Sequence, residues 1–267
     1  MPAPTPSKPD SRTPSRTAPA PSAEPKPTAR PARGKRVLLK LSGEALCTPG
    51  GFGIDGNELE LIAGEVRDAY KEGLQLAVVV GGGNFVRGAR VSKTLHIPQA
   101  TGDYMGMLAT VINGLALKEA LVHLGVDSRV MTAIDVRAVA EPFIRARALR
   151  HLEKGRVVIL VAGTGNPFFT TDTCAALRAT ELECDLLMKA TKVDGVYTAD
   201  PNKDPRAKRY ETLTFGEAIA SNLQVMDTAA MALCRDNRIP LLVFDFKKPG
   251  NIRRAVRGEQ VGTLLSE

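Results

Sequence analysis

The sequence predicts an α/β fold in which helices cover both faces of a mainly parallel sheet. Short, continuous apolar runs alternate with longer stretches of helical hydrophobic spacing, which is typical of parallel strands joined by crossover helices. Three of the apolar runs also end in glycine-rich turns, and ligands of such folds bind at the carboxyl ends of strands. No internal repeat is present.

The N-terminal half of the predicted fold contains three strands and two long helices. Apolar runs predict strands at residues 35–41, 74–80 and 128–132. Helical spacing covers residues 57–72 and 103–124, and Gly73 and Gly125 follow these stretches as stop signals.

The C-terminal half continues the alternation of strands and helices. Strands are predicted at residues 156–161, from Leu186 to Lys189, at 240–246 and at 262–265, with a hairpin arm at 193–198. Helices are predicted at residues 141–153, 172–181, 215–221, 227–237 and 251–257, the last of them basic.

The first 34 residues differ sharply from the rest of the chain. Ten of the 18 prolines lie there, among Ala, Ser and Thr, without any apolar run. Such a segment buries too little surface to offset its ordering entropy, so residues 1–34 are predicted to be a disordered, Pro/Ala-rich basic tail. Residues 35–267 are enough for one large domain or two intimate lobes.

The charge balance and the hydropathy exclude several classes of protein. The formal net charge is +7, and the tail contributes +4 of it from six basic and two acidic residues. Since over half of the excess charge lies on the tail, it does not indicate a specific nucleic-acid partner. No run of 18 apolar residues and no signal-peptide core occurs, so we expect a soluble, cytoplasmic protein without a membrane segment.

The four cysteines show no C-x-x-C spacing, and the three histidines have no partner pattern around them. A disulfide framework, a structural zinc site and a metal held by the protein alone are therefore not expected.

The glycine turn at residues 163–171, with Asp172 after it, is the most informative local feature. It joins an apolar strand to a predicted helix, and a helix N-terminus presents free N–H groups and a partial positive charge that suit a phosphate. Asn166 offers a donor and an acceptor together, as reading a nucleobase edge requires. The alternative is a plain strand–turn–helix connector capped by Thr171.

Two further glycine turns favour the phosphate interpretation. They are Lys40-Leu-Ser-Gly43 and Gly81-Gly-Gly-Asn-Phe-Val-Arg87. Each can bring backbone N–H groups close to phosphate oxygens, and each carries a cation. Lys40 can neutralise charge on a transferring phosphoryl group, and Arg87 can bind phosphate through two donors at once.

Other nucleotide and hydrolase motifs fail on inspection. No G-x-x-x-x-G-K-[ST] run, G-x-S-x-G elbow or H-E-x-x-H motif occurs. Residues 51–56 match G-x-G-x-x-G, but they begin ten residues after the first predicted strand, which opposes a dinucleotide-binding fold.

Three further polar positions have both a structural and a functional interpretation. Residues 190–201 contain Thr191, Tyr197 and Asp200 and can form a simple hairpin. Asp103 can be a helix N-cap, and Asp172 can merely complement a helix dipole.

Six segments of the chain resemble the bacterial uridylate (UMP) kinases of the amino acid kinase family. They are LLKLSGEAL, GGGNFVRG, GDYMGMLATVINGLAL, AGTGNPFFTTD, KATKVDGVYTADPNKDP and VMDTAA. The resemblance spans residues 35–267. It implies one amino acid kinase domain, a three-layer αβα sandwich around a mainly parallel eight-stranded sheet, whose N-terminal half holds UMP and whose C-terminal half holds ATP.

The resemblance also implies an activity, a cofactor and an assembly. The γ-phosphoryl group of ATP passes to UMP with Mg²⁺, the enzyme is a homohexamer, GTP activates it and UTP inhibits it. Transfer is direct and in line, so catalysis consists mostly of positioning and electrostatic stabilisation.

The resemblance assigns roles residue by residue. The catalytic residues are expected to be Lys40 and Arg87, which the resemblance places at the transfer region, and Asp172, a candidate for orienting Lys40. Those for ATP are Lys40, Leu41, Ser42, Gly43, Gly83, Arg87, Thr191, Tyr197 and Asp200. Those for UMP are Gly82, Asp103, Thr164, Gly165, Asn166, Pro167, Phe168, Phe169, Thr170 and Thr171. Those for GTP are Thr48, Pro49, Gly50, Gly51, Phe52 and Gly53.

Two features depart from the related kinases. Acetylglutamate kinases carry a second catalytic lysine near the position where this chain has Val225-Met-Asp227, so Lys40 and Arg87 must supply more of the charge neutralisation. The segment between Arg87 and Asp103 aligns only to within a residue.

Two rival functions remain open at this point. One is a related kinase with a carboxylate or carbamate acceptor, which would need neither the uracil pocket at residues 164–166 nor Asp103. The other is a non-catalytic nucleotide-sensing or nucleic-acid-binding protein, which would not need Lys40, Arg87 and Asp200 together.

Overall fold

The computed structural model describes Met1 and residues 35–86, 96–199, 201, 203–223 and 225–267. The rest of the predicted tail, Arg87 and Asp200 lie outside these residues.

The described residues form nine strands in one sheet. They are β1 (Arg36–Leu41), β2 (Gln75–Val80), β3 (Ser128–Thr132), β4 (Glu141–Pro142), β5 (Val157–Val161), β6 (Leu186–Thr191), β7 (Thr212–Thr214), β8 (Leu241–Asp245) and β9 (Gly262–Ser266). Their order across the sheet is β4-β3-β5-β2-β1-β6-β8-β9-β7. Of the paired strands, β8 and β9 run antiparallel and the others run parallel.

Helices cover both faces of this sheet. They are α1 (Gly56–Tyr70), α2 (Gln99–His123), α3 (Arg145–Glu153), α4 (Thr171–Glu181), α5 (Phe215–Ala220), α6 (Thr228–Asp236) and α7 (Asn251–Val256). A 3-10 turn, Gly43–Leu46, follows β1 directly.

The alternation of side chains along β1 separates two apolar layers. Leu39 and Leu41 pack in a cluster with α1, α2 and α7. Leu38, on the other face, packs in a cluster with α3, α4, α5 and α6. Successive side chains of a strand point to opposite faces, so a continuous apolar strand must be covered twice. The predicted three-layer αβα sandwich is confirmed.

The structure corrects several predicted element boundaries. The helix predicted at 141–153 is instead the short strand β4 followed by α3, because Pro142 biases Glu141 towards extended backbone. With this two-residue strand the described sheet has nine strands, where the resemblance implies eight. Strand β7 was not predicted. The predicted hairpin arm makes one isolated bridge, between Tyr197 and Arg209.

Helix α2 begins four residues earlier than predicted. Its N-cap is Pro98, which makes no side-chain capping bond, and Asp103 lies in the second turn. The alternative interpretation of Asp103 as an N-cap is therefore wrong.

By length and composition alone, α2 is the one helix among the described residues that could cross a membrane. Nine of its residues are buried, and its leucines Leu117 and Leu121 are fully buried in the cluster with β2 and β5. A core helix passes the same test, and the packing of α2 against the sheet fits that explanation.

Candidate active site

The three predicted glycine turns meet around one cavity of about 510 Å³ at the carboxyl ends of β1, β2 and β5. These strands are neighbours in the sheet, so their terminal turns necessarily lie side by side. The predicted site residues that line the cavity are Lys40, Ser42, Gly43, Gly82, Gly83, Asp103, Thr164, Asn166, Phe168, Phe169, Thr170 and Thr171.

Two glycines let the backbone turns approach each other this closely. A Cβ atom on Gly43 would lie 2.7 Å from the carbonyl oxygen of Gly81 and 2.8 Å from the amide nitrogen of Gly83. A Cβ atom on Gly82 would lie 2.5 Å from the carbonyl oxygen of Gly106 in α2. Any side chain at either position would therefore push apart the turns that form the cavity.

Lys40, which lines the cavity, contacts Asp172, which does not line it. The Lys40 Nζ atom lies 2.8 Å from Asp172 Oδ1, and the two side chains are only 11% and 16% exposed. Lys40 lies on the same face of β1 as Leu38, and this face packs against α4, whose first turn carries Asp172. This contact is the one expected if Asp172 orients Lys40.

A second lysine, which the sequence analysis did not identify, completes this cluster. The Lys189 Nζ atom donates to Asp172 Oδ2 at 2.6 Å and also to the carbonyl oxygen of Val225. Lys189 lies opposite Lys40 in the parallel pairing of β6 with β1. Segment 225–227 has no lysine of its own, but the ammonium group of Lys189 reaches it from β6 and donates to the carbonyl oxygen of Val225.

Burial and the charges of this cluster shift the pKa values of Asp172 and Lys189. Burial works to raise the pKa of Asp172, but the ammonium groups of Lys40 and Lys189 outweigh burial and hold that pKa below its usual value. Burial lowers the pKa of Lys189, and the nearby Lys40 acts in the same direction. Asp172 is thus a stable carboxylate shared by two cations.

The N-terminus of α4 is held in place by a network of hydroxyls. The N-cap is Thr170, not Thr171, and its Oγ1 accepts from the N–H groups of Asp172 and Thr173. Both threonine hydroxyls also contact the carboxylate of Asp227, at 3.0 Å in the case of Thr173. Asp227 is in turn the N-cap of α6, where it accepts from the N–H of Ala230. One carboxylate therefore joins the starts of two helices.

Asp103 faces the same turn from helix α2. Its Oδ2 accepts a hydrogen bond of 2.9 Å from the backbone N–H of Phe168. Phe168 has a φ of 69° and is 70% exposed, so an apolar ring in left-handed backbone points away from the core. Asp103 thus holds the turn at residues 163–171 across the cavity mouth.

A buried pair of amides supports the second glycine turn. Asn113 Nδ2 donates to the carbonyl oxygen of Gly81 and to Asn84 Oδ1, and Asn84 Nδ2 donates to Asn113 Oδ1 and to the carbonyl oxygen of Gly53. Both asparagines are at most 3% exposed. The loop at residues 48–53 is therefore tied to the cavity wall, and Phe52 of this loop packs edge-on against Phe85.

Several predicted site residues lie elsewhere. Leu41 is fully buried, so its backbone alone can serve a ligand. Gly165 and Pro167 belong to the third glycine turn but do not line the cavity. Arg87 and Asp200 lie outside the described residues, so their predicted roles stay predictions.

Of the described residues predicted for adenosine, Thr191 is the last residue of the next strand, β6, and Tyr197 follows in the chain. The Thr191 hydroxyl donates to the carbonyl oxygen of Val193, and the Tyr197 hydroxyl donates to Asp194 Oδ1 at 2.7 Å. That hydrogen bond, together with burial, raises the pKa of Tyr197. Since β6 pairs with β1, this region adjoins Lys40 on the side away from β2.

Lys189, Asp227, Asn84 and Asn113 are polar residues that the sequence analysis did not assign to the site. For Lys189 a signal exists, since a lysine interrupts the apolar strand LLMKAT just as Lys40 interrupts RVLLKL. The strand register that brings both lysines to one carboxylate is not visible in either segment alone.

Within the described part of the chain, no three His, Cys, Asp or Glu side chains cluster closely enough to hold a metal ion. Asp103, which lines the cavity, already accepts a hydrogen bond from the backbone amide of Phe168. Asp172 already contacts Lys40 and Lys189. The described donor set therefore does not fit a resident metal.

Comparison with known proteins places this geometry in a family context. A sequence model of the amino acid kinase family matches residues 35–245. The structure is similar to that of UMP kinase from Bacillus anthracis, with 42% identity and a TM-score of 0.85 over 88% of this chain and 97% of that one.

Two further solved structures extend the similarity. UMP kinase from Ureaplasma parvum is 40% identical, with a TM-score of 0.84 over 88% of this chain and 100% of that one. Uridylate kinase from Archaeoglobus fulgidus is 30% identical, with a TM-score of 0.67 over 86% of this chain and 99% of that one.

Proposed function

The chain belongs to the amino acid kinase family, and from that membership we propose that it is a UMP kinase, which transfers the γ-phosphoryl group of ATP to UMP. The single observation that carries the proposal is the cavity that joins Lys40 to the turn at residues 163–171 and to Asp103. Similarity to three UMP or uridylate kinases over at least 86% of the chain supports the choice of acceptor.

The acceptor side of the cavity suits a nucleoside monophosphate. The start of α4 offers a positive dipole end to the UMP phosphate beside Thr171, while the N–H groups of Asp172 and Thr173 are bonded to Thr170 Oγ1. Thr164 and Asn166 line the cavity and can meet the uracil edge. Asp103 can accept hydrogen bonds from the ribose hydroxyls once they displace the N–H of Phe168.

Lys40 is the group placed to act on the transferring phosphoryl group. It lines the cavity between the acceptor turn and the glycine turn that follows β1. A fixed ammonium there stabilises the charge on the equatorial oxygens in the transition state. Asp172 orients Lys40, and Arg87 is proposed as a second cation for the phosphates. Residues 40–43, Gly83, Thr191, Tyr197 and Asp200 are proposed to hold ATP.

Mg²⁺ enters the proposal as part of the Mg-ATP substrate. The phosphate oxygens of ATP would supply ligands to this ion, and the described residues contain no cluster of metal ligands of their own. The protein then positions the nucleotide and not the bare ion.

Acceptor specificity tests the proposal directly. We expect the protein to phosphorylate UMP with Mg-ATP and to leave AMP essentially unphosphorylated, because Thr164 and Asn166, which would pair with the edge of a pyrimidine, would be left unpaired against a purine. The measurement is a coupled assay of ADP release with UMP, CMP, AMP and acetylglutamate as acceptors.

The outcomes of this assay separate the rival functions. A comparable kcat/KM for AMP would contradict the acceptor assignment. Turnover of acetylglutamate alone would favour a carboxylate kinase. Nucleotide binding without turnover of any acceptor would favour a nucleotide sensor.

A homohexamer belongs to the same proposal, and an exposed apolar stripe on α2 supports it. Tyr104, Leu108 and Ile112 recur every fourth residue, so they share one face of the helix, and the latter two are each 48% exposed. A contiguous apolar stripe on one helix face is typical of an interface between subunits.

Charging this stripe is expected to dissociate the assembly. The double variant Leu108→Lys, Ile112→Lys should elute as a smaller species in size-exclusion chromatography with light scattering, while the natural protein has the mass of six chains. Leu61→Lys on α1, where the leucine is equally exposed, is the matched control and should keep the natural mass. An unchanged mass of the double variant would remove α2 from the interface.

Regulation by GTP and UTP is the last part of the proposal. We propose that GTP acts through the loop at residues 48–53, and the hydrogen bonds that Gly53 exchanges with Asn84 at the edge of the second glycine turn support this role. UTP would compete for the UMP cavity through the same uracil contacts.

A further inference from the structure

Lys189 is fixed more tightly than Lys40, although only Lys40 lines the cavity. Lys189 donates both to Asp172 Oδ2 and to the carbonyl oxygen of Val225, so it is held by two elements. Lys40 contacts Asp172 Oδ1 at 2.8 Å. Each lysine thus pairs with one oxygen of Asp172, and Lys189 is additionally anchored to the backbone at Val225.

The charges of the three groups do not cancel. One carboxylate lies between two ammonium groups, so these three groups in direct contact carry a net charge of +1 when all are ionised. Asp227, which contacts Thr170 and Thr173, is a second carboxylate near Lys189, and its charge favours the ionised form of that lysine. If Asp172 faced Lys40 alone, the pair would be neutral and the carboxylate would draw the ammonium away from a phosphate. With Lys189 bound to its other oxygen, the carboxylate can orient Lys40 without neutralising the site.

We propose that Lys189 is a positioning residue of the phosphoryl-transfer site, which anchors Asp172 and balances its charge so that Lys40 stays positive towards the nucleotide phosphates. This inference rests on the proposed kinase function. Lys189 acts through Asp172, since it does not line the cavity itself. The short distance between Lys189 and Asp172 and their shared burial, at 15% and 16% exposure, make the coupling strong.

The test is a double-mutant cycle with Lys189→Met and Asp172→Asn. Met fills the space of the lysine stem without its charge, and Asn keeps the shape of Asp172 and one acceptor for Lys40. We expect Lys189→Met to lower kcat about tenfold or more, with a change in the KM for UMP of less than about threefold.

The double variant distinguishes charge balance from simple damage. Once Asp172 is neutral, its charge no longer needs balancing, so kcat of the double variant should recover to at least about fivefold above that of Lys189→Met alone. The inference would be overturned if the fold-losses in kcat of the two single variants simply multiplied in the double variant. It would also be overturned by a kcat of Lys189→Met within about twofold of that of the natural enzyme.

Two further variants keep the test decisive if burial makes Lys189→Met unstable. Lys189→Arg keeps the charge and should retain most of kcat. Lys189→Gln, which is of similar length but uncharged, should show the same loss of kcat as Lys189→Met. If both reduce only the melting temperature, with kcat of the folded protein unchanged, Lys189 is structural and the inference fails. Activity of the natural enzyme with UMP reports separately on the proposed function, and the same ratios apply with whichever acceptor it uses.

Discussion

Lys40→Ala is expected to lower kcat by roughly two to three orders of magnitude, the size of effect that follows removal of a group that stabilises charge in a transition state. Lys40 is the described cation that lines the cavity between the acceptor turn and the turn after β1. The fold should survive the substitution, because Asp172 keeps Lys189 as its partner and is not left as an unpaired buried charge.

The measurement is kcat with saturating UMP and Mg-ATP, together with the melting temperature. Lys35→Ala is the control, because Lys35 lies at the opposite end of β1, where its Nζ donates to the carbonyl oxygen of Val256. This control should retain kcat within about twofold, well under the 1.36 kcal/mol of barrier that a tenfold change represents. A soluble, folded Lys40→Ala protein with near-natural kcat would reduce Lys40 to a structural charge at a strand end.

Asp103→Asn should raise the KM for UMP far more than the KM for ATP. The carboxylate can accept from both ribose hydroxyls, and charge-assisted hydrogen bonds are worth about 1.5–3 kcal/mol, which corresponds to roughly a 10- to 150-fold change in affinity. Asn keeps one acceptor oxygen, which can still receive the N–H of Phe168. A purely structural role for Asp103 therefore predicts little change.

Asp55→Asn provides a matched control for the Asp103 substitution. Asp55 is a true N-cap, whose side chain accepts from the N–H of Glu58 at the start of α1, and Asn caps a helix about as well as Asp. It should therefore leave both KM values and the melting temperature nearly unchanged. If Asp103→Asn is equally silent, Asp103 serves only to hold the turn at Phe168.

The helix boundary at Asp103 illustrates why some predictions from sequence fail. Asp is a favoured N-cap and Pro98 is not, so the local pattern placed the start of the helix at Asp103. In the structure α2 starts at Gln99, and the side chain of Asp103 points to the turn at Phe168. The carboxylate of Asp103 makes a hydrogen bond to the distant backbone of Phe168 and no capping bond within its own helix. Local propensities do not describe a bond between residues so far apart in the chain.

The sequence by itself determined the layers of the fold and the composition of the cavity walls. Apolar strands must be buried on both faces, and glycine turns at their carboxyl ends must meet wherever those strands are neighbours. Lys40, Gly43, Gly82, Asn166 and the rest of the third turn could be assigned because each lies in a contiguous segment whose local chemistry suits a phosphate or a base.

Only the tertiary structure decided which charged and polar side chains contact each other. Lys189 faces Lys40 because β6 pairs with β1 in that register, and Asp227 holds Thr170 and Thr173 because α6 packs beside α4. Asn84 and Asn113 likewise meet only where α2 crosses the end of β2. The pairing of these groups depends on strand order and helix packing, because electrostatic interactions and hydrogen bonds act over a few ångströms of space and are indifferent to distance along the chain.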